Sequence, residues 1–198
     1  MSTLARNFLR PPRGTLGVAA DGVRALGLVS VVAAGVLYQP TDAGILAFAL
    51  PGLMIPRFLA LRPTADLVFG LVLLTAAWSN VYDLYTTLAA WDLVVHFLAT
   101  GVLSVAVYLL LGHAGVLPRP VGPGRPRRAP LVLTPVLGLA ISALWEMVEW
   151  AGREFITDTI FVTYADTIGD MAIGAVGAAV AGVALAFLRL EDDPPPAT

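Results

Sequence analysis

Six long apolar stretches, separated by short polar connections, dominate the chain. Each is close to the roughly 20 residues that a helix needs to cross a bilayer. They predict an all-α fold, a single transmembrane domain over residues 1–198 with these six spans: 22–38, 43–61, 65–82, 91–111, 131–152 and 166–188. Pro51 and Pro56 in the second stretch predict a kink or a break in that helix.

The composition agrees with a lipid environment. Hydrophobic residues make up 58% of the chain and charged residues 13%, and the mean hydropathy is +0.81. An ordinary soluble protein has about 25% charged residues. The formal net charge of -2 gives no indication of a nucleic-acid partner, and the absence of cysteine excludes disulfides and thiolate chemistry. We therefore expect the lipid bilayer to be the main partner.

The arginines predict the orientation of the bundle, because positive charge accumulates in cytoplasmic loops. Ten arginines fall on one set of predicted loops and ends: Arg6, Arg10, Arg13, Arg57, Arg62, Arg119, Arg125, Arg127, Arg128 and Arg189. Arg153 falls on the other set, and Arg24 is expected to snorkel or to pair with Asp21. Both termini are therefore expected in the cytoplasm, together with a flexible loop, 112–130, and a disordered tail, 191–198.

Polar side chains gather at the outer ends of the last four stretches. Asp92 and His96 are four residues apart and share a helix face, which Thr100 continues. Glu146 and Glu149 are three residues apart near the end of the fifth stretch. The same end of the predicted bundle carries further polar residues: Asn80, Tyr82, Asp83, Ser142, Arg153, Asp166 and Asp170.

Some of these acids have a structural explanation. Asp92 and Asp166 begin their predicted helices, where unpaired N–H groups and the helix dipole favour a carboxylate, so both are candidates for N-caps. His96, Glu146, Glu149 and Asp170 lie one or more turns inside their helices. A charge at the bilayer centre costs ~2.5–3.5 kcal/mol, and the chain has no lysine to offset the acids.

Three arrangements relieve the repulsion among these acids: protonation of some of them, a bound metal ion, or a wet pocket that opens outward. Imidazole with several carboxylates suits one Zn²⁺, Mn²⁺ or Fe²⁺ ion better than Ca²⁺ or Mg²⁺, which prefer oxygen ligands. The residues assigned to a metal site are the ligands His96, Glu149 and Asp170, the second-tier ligands Asp92 and Asp166, and the general base Glu146. A metal-free proton-handling network and a purely structural cluster stay open as alternatives.

The sixth stretch and the loop before it add two expectations. Gly174, Ala178 and Gly182 follow a small-x3-small spacing, which lets helices approach closely in lipid. Because Asp170 shares this face, close packing would point its carboxylate inward. The loop 153–166 is rich in aromatic and β-branched residues, which is typical of an interfacial anchor or of a lid over the polar cluster.

Three motifs carry a family resemblance: WDLVVHF from Trp91, ALWEMVEW up to Trp150, and DTIGDM from Asp166. Their order and spacing resemble the YjdF-type bacterial inner-membrane proteins, which are distantly similar to the VanZ-like family. The resemblance implies a multi-pass protein of the bacterial plasma membrane, with motif residues at Asp92, His96, Glu146, Glu149, Asp166 and Asp170. Family members often carry an asparagine at the position of Gly174, so this polar contribution is missing here.

Three functions fit this pattern. The first is a metal-dependent membrane enzyme that acts on a lipid or lipid-linked envelope substrate from the outer face. The second is an ion- or proton-coupled transporter, although the crowding of polar residues at one end offers no path through the membrane. The third is a non-catalytic envelope, assembly or lipid-binding factor. The outward-facing histidine and carboxylates favour the first.

Overall fold

The computed structural model describes residues 3–119, 127–158 and 160–192. Within these residues the regular secondary structure is helical, apart from an isolated antiparallel bridge between Leu61 and Glu191, so the all-α prediction is confirmed. The helices in chain order are α1 (Thr3–Phe8), α2 (Gly14–Leu37), α3 (Pro40–Phe58), α4 (Pro63–Val81), α5 (Leu84–Thr87), α6 (Trp91–His113), α7 (Arg128–Phe155) and α8 (Tyr164–Phe187).

Five of the described helices are long and apolar enough to cross a membrane: α2, α4, α6, α7 and α8. Many of their leucine, valine and phenylalanine side chains are exposed, as expected for helices that face lipid. Helix α3 covers the second predicted span but is not among the five. Its 19 residues include Asp42, Arg57 and two internal prolines, which lower its apolar character. The sixth crossing and the orientation of the termini stay predictions.

The predicted boundaries agree with the observed helices, with three differences. Helix α2 begins at Gly14, well before the predicted start at residue 22. Helix α3 continues through Pro51 and Pro56, so the alternative of a broken helix is wrong. The short helices α1 and α5 were not predicted, because six and four residues are too few to show a hydrophobic period.

The predicted loop and tail are only partly described. Residues 120–126 of the predicted loop 112–130 and residues 193–198 of the predicted tail lie outside the described residues. The prediction of disorder is wrong for the start of the tail, residues 191–192. The Asp192 N–H donates to the Ala60 carbonyl at 2.9 Å, so the backbone of this segment is paired instead of disordered.

The chain divides into two compact units, Met1–Tyr82 with Arg189–Thr198, and Asp83–Leu188. In the first unit, α2, α3 and α4 pack against one another. Its apolar core contains Val23, Ala34, Leu46, Leu74 and Ala77. The prediction of a single transmembrane domain stays a prediction.

A buried group of charges lies inside the first unit. Arg24 of α2 donates to the Leu53 carbonyl at 3.0 Å, to Asp21 at 2.9 Å and to Asp66 of α4. Arg57 of α3 pairs with Asp21 as well, at 3.3 Å. The predicted pairing of Arg24 with Asp21 is confirmed, and the buried partner Asp66 was missed. Each ion of this group faces an opposite charge, which is the condition under which charges are tolerated in a protein interior.

Both ends of the described chain form side-chain contacts within this unit. The Asn7 side chain of α1 donates to the Phe58 carbonyl at 2.9 Å, at the end of α3. Arg13, just before α2, forms an ion pair with Asp192 at 3.1 Å. These contacts gather the start of α2, the end of α3 and the segment that follows α8.

The second unit is built around α8, which packs against both α6 and α7. A Cβ atom on Gly177 would lie 2.0 Å from the Phe97 carbonyl oxygen of α6, and one on Gly138 of α7 would lie 2.2 Å from Ala178 Cβ. Only glycine fits such contacts without moving a helix. Because Gly182 is also buried, the predicted small-residue face of α8 is confirmed as its packing face.

We expect Arg24→Ala to destabilise the protein strongly, because it leaves the buried Asp66 carboxylate without its partner. Removal of one member of a buried ion pair costs about 3–5 kcal/mol. Thermal unfolding of the purified protein in detergent measures this as a lower midpoint. Arg24→Met combined with Asp66→Leu should recover much of the loss, since both charges are then removed.

Asp192→Asn is the matched control for this experiment. It removes the more exposed ion pair with Arg13, which is worth about 1 kcal/mol or less because solvent screens it. Equal stability of Arg24→Ala and wild type would contradict the importance of the buried charges.

Candidate functional site

The candidate site lies in the second unit, where the start of α6, the end of α7 and the start of α8 come together. His96, Glu146 and Asp170 are buried there, one from each helix. They lie inside their helices by about 8–14 Å, given a rise of about 1.5 Å per residue. The close packing of small residues on α8 brings these three helices near enough for their side chains to meet.

Helix α6 contributes an acid and the histidine. His96 Nε2 lies 3.3 Å from Asp92 Oδ1, so the predicted shared face of this i,i+4 pair is confirmed. Asp92 lies within the first turn of α6, and the N-cap is Ala90. The predicted N-cap role of Asp92 is therefore wrong, although the helix dipole still favours a carboxylate at this place.

Helix α8 is capped by a threonine. The Thr163 hydroxyl accepts from the Asp166 N–H at 3.3 Å, so Thr163 is the N-cap and the predicted N-cap role of Asp166 is wrong. Asp166 lies in the first turn and is half-buried, whereas Asp170 lies one turn deeper and is only 2% exposed. The small residues after Asp170 hold this part of α8 against its neighbours.

The two glutamates of α7 differ in their environment. Both carboxylate oxygens of Glu146 are buried and make no hydrogen bond to a described residue. His96 Nδ1 is 3.9 Å from Glu146 Oε1, and the Thr167 side chain lies beside Glu146 without meeting hydrogen-bond geometry. Glu149 accepts a hydrogen bond from the Trp145 indole, one turn earlier. Glu146 thus faces His96 but lacks a hydrogen-bond partner within the described residues.

His96 belongs to two groups of potential metal ligands. In the first, ligand atoms of Asp92, His96 and Asp170 lie within 4.8 Å of one another. In the second, the same holds for His96, Glu146 and Glu149. The predicted ligands Glu149 and Asp170 therefore both lie near His96 but fall into different groups.

Acidic groups outnumber basic ones in this cluster. One histidine lies among five acids: Asp92, Glu146, Glu149, Asp166 and Asp170. Arg153 is exposed and donates to the Ile160 carbonyl at 2.8 Å, and within the described residues it forms no ion pair with these acids. A cation among the carboxylates would offset their repulsion.

Two predicted pocket residues, Thr100 and Ser142, lie close to the part of α8 that carries Asp170 and Gly174. Thr100 and Ser142 are buried, and the Ser142 hydroxyl donates to the Asp170 carbonyl at 3.4 Å. A Cβ atom on Gly174 would lie 2.9 Å from both hydroxyl oxygens. An asparagine at position 174, as expected from the family resemblance, would need these side chains to move.

Three further predicted residues are not part of these ligand groups. Asn80 and Tyr82 belong to the first unit, where Tyr82 stacks on Trp78 with ring centroids 5.2 Å apart. Asp83 precedes α5 in a left-handed conformation, and its carbonyl accepts from the Thr87 hydroxyl at 2.8 Å. A role for these three residues beside the cluster stays a prediction.

The connection between α7 and α8 contacts the end of α7 through Ile160. Besides accepting from Arg153, Ile160 packs over Gly152, where a Cβ atom would lie 2.7 Å from its side chain. Phe155 and Tyr164 are exposed on either side of the connection. The two predicted roles of this loop, as an interfacial anchor and as a lid, both stay open.

The comparisons with known proteins agree with a membrane location. A family model described as a predicted membrane protein, DUF2238, matches residues 22–191, so the chain belongs to this family, which includes the YjdF-type proteins. The match includes all residues of the cluster. No curated protein and no solved structure matches the chain. The more distant similarity to VanZ-like proteins stays a prediction.

We expect Glu146→Met to stabilise the metal-free protein, because it removes two buried oxygens that lack hydrogen bonds. An unsatisfied buried polar group costs about 1–3 kcal/mol, and the midpoint of thermal unfolding in detergent should rise accordingly. Glu149→Met should raise the midpoint less, since the Trp145 indole already donates a hydrogen bond to this carboxylate.

Met147→Leu is the matched control, because Met147 is an exposed neighbour of Glu146 and its replacement should change stability by about 0.5 kcal/mol or less. A Glu146→Met protein less stable than wild type would show that Glu146 is satisfied in the metal-free state.

Proposed function

We propose that this DUF2238 protein is a multi-pass protein of the bacterial plasma membrane that binds one divalent cation, Zn²⁺, Mn²⁺ or Fe²⁺. We further propose that it uses this ion on a lipid or lipid-linked envelope substrate. The observation that carries the proposal is the group Asp92, His96 and Asp170, whose ligand atoms lie within 4.8 Å of one another, beside the buried Glu146 carboxylate that lacks a hydrogen-bond partner.

Asp92, His96 and Asp170 are the proposed ligands. One histidine and two carboxylates are a donor set that suits these metals, and three protein ligands leave a position open for a substrate or water. His96 Nε2 is the nitrogen beside Asp92, which leaves Nδ1 to face Glu146.

Glu146 is the proposed general base. Its Oε1 atom lies 3.9 Å from His96 Nδ1, so Glu146 is close to a proposed ligand without being one of the three. A divalent cation polarises a phosphoryl or acyl oxygen and makes bound water more acidic. Glu146 would accept a proton from that water, and burial would keep its carboxylate in one place.

A metal-free proton-sharing network is the second candidate. It is supported by the 3.3 Å contact between His96 and Asp92, which an imidazolium and a carboxylate can form without a metal. In that case the acids of the cluster would share protons or bind a lipid headgroup, and the protein would have no metal-dependent turnover.

We also propose six membrane crossings with both termini in the cytoplasm. The Arg13–Asp192 ion pair supports an even number of crossings, because it joins the start of α2 to the segment after α8. Contacts of Gly35 with Ala43 and of Gly27 with Leu53 run along α2 and α3, which supports α3 as a span beside α2. Nineteen residues of helix cover about 28 Å, close to the hydrocarbon thickness.

Metal analysis tests the first proposal. Wild-type protein exposed to Zn²⁺, Mn²⁺ or Fe²⁺ and then freed of loosely bound metal should retain about one ion per chain by mass spectrometry. His96→Ala should lose it, because His96 belongs to both ligand groups. His113→Ala is the matched control, since His113 is the other histidine of the chain and lies at the far end of α6.

Glu146→Gln separates the two ligand groups. If Asp92, His96 and Asp170 hold the ion, this variant keeps the metal and loses turnover of lipid-linked phosphoesters or acyl esters. If the other group holds the ion, the metal is lost too. Wild-type protein without retained metal would favour the proton-sharing network.

The topology can be tested by cysteine labelling, because the chain has no cysteine of its own. Gln39→Cys, between α2 and α3, should react with a membrane-impermeant maleimide added to the outside of cells. Val116→Cys, between α6 and α7, should react only after the membrane is opened. Labelling of both from the same side would contradict the proposed arrangement.

A further inference from the structure

A second polar site lies in the first unit, away from the candidate metal site in the chain. It is a cavity between the turn before α2, the turn after α3 and the C-terminal segment. The polar side chains that line it are Asn7, Arg10, Arg13, Arg57, Asp66 and Asp192. The proposed metal chemistry uses none of these residues.

Arg57 organises one wall of this cavity. Its guanidinium donates to the Phe8 carbonyl at 3.1 Å and to the Arg10 carbonyl at 2.5 Å, and it pairs with Asp21. The backbone that carries Arg10 is therefore held by side-chain contacts to α3. Such a wall keeps its shape when a ligand binds, which lowers the entropy cost of binding.

Positive charge is concentrated in this cavity. Burial lowers the pKa of Arg10, and the nearby Arg13 and Arg57 lower it further, while Asp192 raises it. Asp66 also lines the cavity, but its carboxylate is paired with Arg24. Asp192 is paired with Arg13, so three guanidinium groups and two carboxylates, both already in ion pairs, line the cavity.

We propose that this cavity binds a phosphate group, with Arg10 and Arg13 as its main ligands. Guanidinium groups bind phosphate oxygens through paired, charge-assisted hydrogen bonds, and they do so more specifically than lysine. Bound phosphate would take over the contact that Arg13 makes with Asp192 and would offset the repulsion at Arg10.

The phosphate has two sources, a lipid headgroup or a soluble phosphate. The cavity lies at the end of the first unit where the proposed topology puts the cytoplasmic leaflet, whose anionic lipids attract basic residues. Phosphate binding itself does not depend on the metal site, so failure of one proposal leaves the other intact.

The test uses the full-length protein in a neutral detergent and follows the midpoint of thermal unfolding with three probes. These are dioctanoyl phosphatidylglycerol, dioctanoylglycerol with the same tails and no phosphate, and inorganic phosphate. Phosphatidylglycerol should raise the midpoint and dioctanoylglycerol should not. In Arg10→Gln/Arg13→Gln the apparent affinity should fall about tenfold or more, as expected for the loss of charge-assisted hydrogen bonds.

Arg62→Gln is the matched control, because Arg62 is an exposed arginine of the neighbouring turn that does not line the cavity. Native mass spectrometry of Arg10→Lys, counting retained phosphatidylglycerol, provides a second measurement if the double variant folds poorly. It should retain less lipid than wild type.

An equal effect of inorganic phosphate would support the site and identify a soluble source. The proposal is overturned if neither phosphate probe stabilises wild type. It is also overturned if the double variant, or Arg10→Lys when the double variant does not fold, responds as wild type does.

Discussion

The contact between Gly177 and the Phe97 carbonyl fixes the relation of α6 and α8, on which the candidate site depends. Any side chain at position 177 would push the two helices apart, because a Cβ atom there would lie 2.0 Å from the Phe97 oxygen. Phe97 follows His96, and Asp170 lies two turns before Gly177 on the same helix. In lipid, close packing of this kind replaces the hydrophobic effect as the force between helices. A shift of one residue along α8 would therefore separate the acid from the imidazole.

The two units handle their buried charges in opposite ways. In the first, the guanidinium groups of Arg24 and Arg57 neutralise Asp21 and Asp66 directly. This group serves the packing of α2, α3 and α4. In the second, five acids lie near one histidine, and the buried Glu146 carboxylate lacks a hydrogen-bond partner within the described residues. A buried carboxylate without a hydrogen-bond partner departs from the consistency of a well-folded chain, and such departures are typical of functional sites.

Much of this arrangement could be predicted from the sequence, because its signals are local. The six apolar stretches agree with six long helices, and the spacing of Asp92 and His96 correctly placed them on one face. The spacing of Trp145 and Glu149 is equally local, so their hydrogen bond could have been found in the same way. Partners from different helices could not be predicted, since their meeting depends on the rotation of each helix. The pairing of Arg24 with Asp66 is of this kind, as is the division of the predicted ligands into two groups.

The pairing of the C-terminal segment with the first unit has a consequence for the order of assembly. A chain is synthesised from its N-terminus, and early segments generally fold first. Here α2, α3 and α4 leave the ribosome well before Leu190 and Asp192, whose backbone groups bond to Arg62 and Ala60. The first unit is therefore completed only after α6, α7 and α8 have been made. A chain truncated before residue 189 would therefore lack a segment that completes the unit synthesised first.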